Sequence, residues 1–181
     1  MNMKGKKIAF VDIETTGVDP LKHEILEIGC LVAKQNDDGS FVMTDEFEVK
    51  VKPEHIETAE PQALRINGYD EANWMFAHSL EEALRLMNQK LGDDATMIAH
   101  NITFDYSFII NAYSRLGIKD PFFHKYDTLT MAMMKFKDEE DVQRLSLRAL
   151  CEKFGVKNEK AHTALADVRA TFEVFKKLMA K

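Results

Sequence analysis

Two carboxylates stand close together at the end of an apolar run near the start of the chain. The segment K-I-A-F-V-D-I-E-T-T-G, residues 7–17, begins like a strand buried on both faces and then breaks. Side chains two apart on a strand point the same way, so Asp12 and Glu14 project together. Neighbouring carboxylates repel each other and lose hydration unless a cation lies between them, which predicts a metal site. A strand that ends in a solvated acidic turn gives the same pattern, so other residues must decide.

A third carboxylate, Asp105, lies in the segment H-N-I-T-F-D-Y-S-F-I-I-N-A-Y-S-R-L-G, residues 100–117. This segment leaves a short buried strand, residues 97–99, and enters a helix with Thr103 as the expected N-cap and Gly117 as the end. Counting back by three and four residues from the apolar stripe of this helix reaches Asp105, which places it on the buried face. The alternative is a favourable charge at a helix N-terminus, where Asp is common.

The last helix supplies two more candidates, His162 and Asp167. An apolar stripe from Leu165 to Met179 predicts a helix with Asp167 at the border of the core. On one continuous helix, five residues would turn His162 about 140° away from Asp167. The two side chains meet only if His162 precedes the helix. The polar, unpatterned segment 155–160 therefore predicts that a loop carries His162.

Composition limits the class of protein. A chain of 181 residues with 45% hydrophobic side chains predicts one globular domain over residues 1–181. The net charge of -6 argues against a nucleic-acid coat protein, but it allows an enzyme that reaches phosphates through metal ions. Cys30 and Cys151 show no metal-ligand spacing, which predicts reduced packing residues in a cytoplasmic protein. Asp12 interrupts the first apolar run, and no other run is long enough for a membrane.

Turn and cap residues predict the elements that position these side chains. The turn N-D-D-G at residues 36–39 separates two strand-like segments and predicts an antiparallel hairpin. Helices are predicted over residues 61–67 and over residues 147–154, the second of them after a cap at Ser146. A further helix is predicted to begin after a cap at Ser79. A brief strand that runs into a helix is predicted over residues 126–136.

Together the motifs D-x-E, H-N-x-x-F-D and H-x-x-x-x-D resemble the DEDDh, or DnaQ-like, 3′-to-5′ exonuclease superfamily over Lys7 to Leu178. The opening F-V-D-I-E-T-T-G, the I-N-G at residues 66–68 and the H-N-x-x-F-D are most similar to the proofreading epsilon subunits of bacterial replicative DNA polymerases. The resemblance implies an α/β, ribonuclease H-like fold. Its mixed sheet of about five strands would have a central first strand, an antiparallel second strand and helices on both faces.

The resemblance also implies the catalytic residues, which would be Asp12, Glu14, Asp105, His162 and Asp167. The four carboxylates would bind two divalent cations, with Asp12 bridging both. Their hard oxygen ligands favour Mg²⁺ or Mn²⁺ over structural zinc. His162, with an ordinary pKa of about 6.5, would accept a proton from the attacking water.

A pocket for the terminal nucleotide is implied by the same resemblance. Backbone near Thr15 and Thr16 would hold the nucleotide, and His100, Asn101 and Phe104 would line the pocket. Taken alone, His100 is more typical of a hydrogen-bonded core histidine, and Phe104 of an ordinary core residue. An aromatic stacking surface would tolerate any base.

The expected activity is metal-dependent release of 5′-mononucleotides from single-stranded or frayed 3′ ends. DNA is preferred over RNA in this expectation, which places the enzyme in DNA replication or repair and leaves association with a DNA polymerase open. One alternative is a 3′-to-5′ exoribonuclease of the ribonuclease T or oligoribonuclease type. The other is a non-catalytic nucleic-acid or protein-binding module on the same fold.

Overall fold

Five strands form one mixed sheet in the computed structural model, which describes residues 3–140, 142–158 and 163–180. The strands are β1 Ile8–Thr15, β2 Ile25–Gln35, β3 Phe41–Lys50, β4 Ala95–Ala99 and β5 Phe122–Asp127. Their order across the sheet is β3-β2-β1-β4-β5. β1 is antiparallel to β2 and parallel to β4, β2 and β3 are antiparallel, and β4 and β5 are parallel. The predicted mixed sheet with a central β1 and an antiparallel β2 is confirmed.

Six α-helices and one short 3₁₀ helix, Ile56–Thr58, complete the described part of the chain. The α-helices are α1 Pro61–Asn67, α2 Leu80–Leu91, α3 Ile102–Leu116, α4 Thr128–Lys135, α5 Leu147–Phe154 and α6 Ala164–Met179. The bounds predicted for α1 and α5 are confirmed, and Ser79 caps α2 as expected. β4 begins earlier than the predicted strand, and β5 begins at Phe122 rather than near Tyr126.

The two faces of β1 pack against different helices. Ala9, Val11 and Ile13 share one hydrophobic cluster with residues of α2 and α3. Ile8 and Phe10 share a second cluster with α6, where Phe10 contacts Phe172 and Phe175. Because strand side chains alternate, Asp12 and Glu14 continue the face that carries Ile8 and Phe10. The acidic pair therefore points to the side of the sheet on which α6 lies.

The N-cap of α3 differs from the prediction. The helix begins at Ile102, so its N-cap is Asn101 and the expected cap at Thr103 is wrong. Asn101 adopts a left-handed conformation with φ of 65° and makes no side-chain capping bond. The acceptor comes instead from Asp127 on β5, whose Oδ1 accepts the Asn101 N–H at 2.8 Å. A distant carboxylate thus replaces the local cap.

Cys30 and Cys151 are both buried and free, in agreement with the prediction that they are packing residues. Among the described residues, no helix is both long enough and apolar enough to cross a bilayer.

Candidate active site

Three carboxylates meet beside the end of β1. Asp12 and Glu14 are partly buried and alternate with the buried Val11, Ile13 and Thr15, so they project to the same side as predicted. Asp167 approaches them from the first turn of α6. One oxygen from each of Asp12, Glu14 and Asp167 lies within 4.8 Å of the other two, close enough for a shared metal ion.

Asp105 reaches the same region through a gap in the sheet. β4 pairs with β1 only through Ile8, Ala9 and Phe10, so the later part of β1 has no strand partner on that side. The N–H of Ile13 instead donates to Asp105 Oδ1 at 3.1 Å. Asp105 is 3% exposed, which confirms its predicted burial, and its charge acts on Asp12. It lies outside the group of three carboxylates whose oxygens are mutually close.

Asp127 fixes the two helix starts on this side and was missed by the sequence reasoning. Besides the Asn101 N–H, its Oδ1 accepts the N–H of Leu129 at 3.0 Å, and its Oδ2 accepts the hydroxyl of Thr130 at 2.8 Å. One carboxylate therefore holds the first turns of α3 and α4. The available signal was an Asp immediately before the helical segment T-L-T, a common N-cap pattern.

The start of α6 positions Asp167. The helix begins at Ala164, as expected for a helix that follows His162, and His162 itself lies outside the described residues. Asn158, in the segment after α5, donates its side-chain amide to Asp167 Oδ1 at 2.6 Å. This bond orients the carboxylate that faces Asp12 and Glu14.

Thr15 and Thr16 form a closed turn at the end of β1. The Thr16 N–H donates to the Glu24 carbonyl at 2.8 Å, and the Thr16 hydroxyl accepts the Glu24 N–H at 2.8 Å. The Thr15 carbonyl accepts the side-chain amide of Asn67, the last residue of α1, at 3.0 Å. The Thr16 bonds close the turn, and the bond from Asn67 attaches α1 to the acidic end of β1.

The remaining pocket candidates lie at the start of α3. His100 is partly buried, its Nδ1 is 3.0 Å from the Thr128 hydroxyl, and burial lowers its pKa. The ring of Phe104 packs against Phe108 at 5.2 Å between centroids and keeps part of its surface accessible. Asn101 is exposed. The ring of His100 therefore connects the end of β4 to the first residue of α4. The lowered pKa favours its neutral form.

The electrostatics of the site favour a bound cation. Burial, followed by the charges of Asp105, Asp167 and Glu14, raises the pKa of Asp12 well above its usual range. Burial and Asp167 raise the pKa of Glu14 to about 7, and burial raises that of Asp105 to about 8 despite its bond from Ile13. These oxygens hold protons unless a positive charge replaces them. A hard divalent cation fits this set of donors.

We expect the thermal stability of the metal-free protein to fall as the pH rises from about 5 to 8. The folded protein binds more protons than the unfolded chain, since Glu14 titrates near 7 rather than 4.5 and Asp105 near 8 rather than 3.8. Their contribution is complete below the unfolded pKa values and disappears as the pH passes the folded ones. Circular dichroism melting with a chelator, and then with Mg²⁺ or Mn²⁺, measures the effect.

The cation should raise the melting temperature more at pH 8 than at pH 5, because protons compete with it for the same oxygens. An Asp93→Asn protein is the control, since this exposed side chain is paired with Lys119 outside the site. It should keep the pH dependence of the wild type. A metal effect of equal size at both pH values would contradict the assignment of these carboxylates as ligands.

A five-stranded mixed sheet with carboxylates at the end of its central strand defines the class of ribonuclease H-like nucleases. The chain belongs to the exonuclease family, because the family model described as Exonuclease matches residues 9–175. It is a DEDDh-type 3′-to-5′ exonuclease, so the predicted superfamily, fold and enzyme class are confirmed. The family uses divalent metal ions.

Curated relatives include ribonuclease T of Shewanella denitrificans, which is 31% identical over 179 residues, with 91% of this chain and 76% of the relative covered. A PolC-type DNA polymerase III of Caldanaerobacter subterraneus is 31% identical over 180 residues, which are 99% of this chain and 12% of the polymerase. Among solved structures, E. coli exonuclease I in complex with a dT13 oligonucleotide superimposes with a TM-score of 0.77 at 19% identity. The match covers 96% of this chain and 41% of exonuclease I, so the likeness concerns the fold of one part of that enzyme.

Proposed function

We propose that this chain is a metal-dependent exonuclease that releases 5′-mononucleotides from single-stranded or frayed DNA 3′ ends. The observation that supports the proposal is the group formed by Asp12, Glu14 and Asp167, whose oxygens lie within 4.8 Å of one another. Burial and mutual repulsion raise the pKa of Asp12 and Glu14, so the site attracts cations rather than serving as a solvated acidic turn. The intact acidic set also argues against a non-catalytic binding module.

Each carboxylate has a proposed role in holding two ions, Mg²⁺ or Mn²⁺. Asp12 would contact both, Glu14 and Asp167 would complete the site on the nucleophile side, and Asp105 would hold the second ion. Such ions supply a nucleophile at neutral pH and stabilise the leaving 3′ oxygen of a phosphodiester. Because Ile13 occupies Asp105 Oδ1, the other oxygen of Asp105 is the better ligand.

The remaining roles belong to side chains around the acids. His162 would accept the proton of the attacking water, and in the sequence it precedes α6, the helix that carries Asp167. The turn at Thr15 and Thr16, with His100, Asn101 and Phe104, would bind the terminal nucleotide. The accessible part of the Phe104 ring offers a stacking surface that does not select a base.

DNA and RNA have different supporting observations. The polymerase relative and the fold of exonuclease I, crystallised with a DNA oligonucleotide, support DNA as the substrate. The relatives named ribonuclease T support RNA, so an exoribonuclease is the second candidate. On the first proposal the enzyme acts in replication or repair, with association with a polymerase as an extension of that role.

Residues 1–181 would form one exonuclease domain. The free, buried cysteines support a cytoplasmic location.

The deciding experiment compares DNA and RNA oligonucleotides of one sequence, labelled at the 5′ end, in the presence of Mg²⁺. We expect stepwise shortening from the 3′ end, release of 5′-mononucleotides and a higher kcat/KM for DNA. Asp12→Ala is the control for a contaminating nuclease, because this change removes a proposed ligand of both ions. RNA that is shortened much faster would favour the second candidate, and hydrolysis that Asp12→Ala leaves unchanged would exclude the mechanism.

A further inference from the structure

Two residues of β2 face the acidic pair of β1. In the antiparallel register Asp12 lies opposite Gly29, and Glu14 lies opposite Glu27. Residues directly opposite on antiparallel strands project to the same face of the sheet. Leu31 and Ala33 continue this face of β2 and pack in the cluster that contains α6. Glu27 and Gly29 therefore lie beside the carboxylates of β1, on the face of the sheet against which α6 packs.

Gly29 allows the first turn of α6 to touch the backbone of β2. A Cβ atom at this position would lie 2.4 Å from the carbonyl carbon of Ala164 and 2.6 Å from its oxygen. These are backbone atoms, so the first turn of α6 would have to move to accept any side chain. A glycine in a strand is typical of a site where another segment of backbone comes this close.

Glu27 holds the same turn by a hydrogen bond. Its Oε1 accepts the N–H of Ala164 at 2.9 Å, and the side chain is 5% exposed. The first N–H groups of a helix lack partners within the helix, and a buried one without an acceptor is costly. Two residues of β3 act on the pKa of this carboxyl group in opposite directions, since Glu48 raises it and Lys50 lowers it. The bond from Ala164 therefore ties the carboxyl group of Glu27 to the start of α6.

A buried acid beside Glu14 is an unfavourable choice for stability alone. Burial raises the pKa of Glu27 to about 7, and Glu27 in turn raises those of Glu14 and Asp12. Residues that break the local rules of a fold are concentrated at functional sites. The side chain of Glu27 is hydrogen-bonded to the turn of α6 that carries Asp167, which connects this unfavourable acid to the proposed metal site.

We propose that Glu27 is a positioning residue for the metal site. By accepting the N–H of Ala164, with Gly29 leaving room for the backbone, Glu27 fixes the first turn of α6. Asp167 follows three residues after Ala164 in this turn, and the bond keeps its carboxylate within 4.8 Å of those of Asp12 and Glu14. The inference rests on the proposed function in one respect, namely that these three carboxylates bind a cation.

The test uses Mn²⁺ binding measured by calorimetry at a temperature where every variant is folded. Glu27→Ala removes the acceptor, and we expect the dissociation constant for Mn²⁺ to rise about 10- to 100-fold, with a similar loss in kcat. KM for the oligonucleotide should change much less, since the hydrogen bond of Glu27 goes to Ala164, which is not one of the proposed pocket residues. Glu27→Gln should stay within about threefold of the wild type, because its amide oxygen can still accept the N–H of Ala164.

Two further variants separate positioning from general stability. Glu27→Asp keeps the charge but withdraws the acceptor by one methylene, so it should bind Mn²⁺ more weakly than Glu27→Gln. Glu82 also stabilises a helix start, with Oε2 accepting the N–H of the N-cap residue Ser79 at 2.9 Å, and its helix α2 packs on the opposite face of the sheet. Glu82→Ala should lower the melting temperature and leave the affinity for Mn²⁺ unchanged.

Two results would overturn the proposal. One is a Glu27→Ala protein, or a Glu27→Asp protein, that binds Mn²⁺ as tightly as the wild type. The other is a Glu27→Gln protein that binds Mn²⁺ as weakly as Glu27→Ala. This result would show that the charge of Glu27, and not its hydrogen bond, supports metal binding. Because the readout is metal affinity, a wild type that binds Mn²⁺ but cleaves no nucleic acid would refute the proposed function and leave this test valid.

Discussion

An Asp12→Asn protein is expected to lose hydrolysis and, without metal, to unfold at a higher temperature than the wild type. Asp12 is the carboxylate with the most unfavourable surroundings for its charged form. Burial and the charges of Asp105, Asp167 and Glu14 all raise its pKa. An amide of nearly the same shape carries no charge to desolvate and repels none of these neighbours. The change therefore removes a source of instability together with a ligand.

The two effects have different sizes and different readouts. A cation that stabilises the transition state supplies several kcal/mol, so loss of a ligand shared by both ions should lower kcat by at least about a thousandfold. In a chain of this length about 1 kcal/mol of added stability raises the melting temperature by roughly 2–4 °C. We expect a rise of at least that size at pH 8 in a chelator, measured by calorimetric melting.

The stability gain should vanish under two conditions. At pH 5 the acids of the wild type hold protons, so the two proteins should melt at closer temperatures. With saturating Mn²⁺ the wild type gains the binding energy of the ion and should become the more stable protein. Asp93→Asn makes the same charge change at an exposed position and should show neither effect. An Asp12→Asn protein that is less stable than the wild type at pH 8 without metal would contradict the electrostatic account.

The directions of the main acidic side chains could be predicted from local periodicity. Alternation along a strand puts Asp12 and Glu14 on one side, and the helical repeat puts Asp105 on a buried face, as the structure shows. The helix bounds set by Ser79, Ser146 and Gly155 depend on short-range caps, and they were also predicted correctly. Each of these features is decided by residues within one or two turns of the position concerned.

The residues that the sequence did not reveal act across long separations. The cap of α3 comes from Asp127, which is 26 residues away from Asn101, so a search for a local cap selected Thr103. Glu27 and Ala164 are 137 residues apart, and no pattern around either residue identifies the other as its partner. The one local signal was an acid inside the apolar run of β2, on the same face as Gly29. Such contacts depend on how elements that are distant in sequence pack together, which the pattern of neighbouring residues does not specify.

A His162→Ala protein is expected to lose most of its turnover and to keep its affinity for the metal. A positioned proton acceptor contributes about 10²- to 10⁴-fold, and kcat should fall within that range. The hydrolysis rate of the wild type should rise with pH through about 6.5 if His162 is the acceptor, and the variant should lose this step. Single-turnover kinetics across pH 5.5–8 and Mn²⁺ calorimetry measure the two properties separately.

Asp167→Ala is the matched comparison, because His162 and Asp167 belong to one motif but have different proposed roles. Asp167 is one of the three mutually close carboxylates, so its loss should weaken Mn²⁺ binding by at least about tenfold as well as lowering kcat. His78, an exposed histidine at the start of α2, provides a control in which alanine should change neither property. If His162→Ala weakened Mn²⁺ binding as much as Asp167→Ala, His162 would be a metal ligand rather than a base. The reaction would then require another proton acceptor.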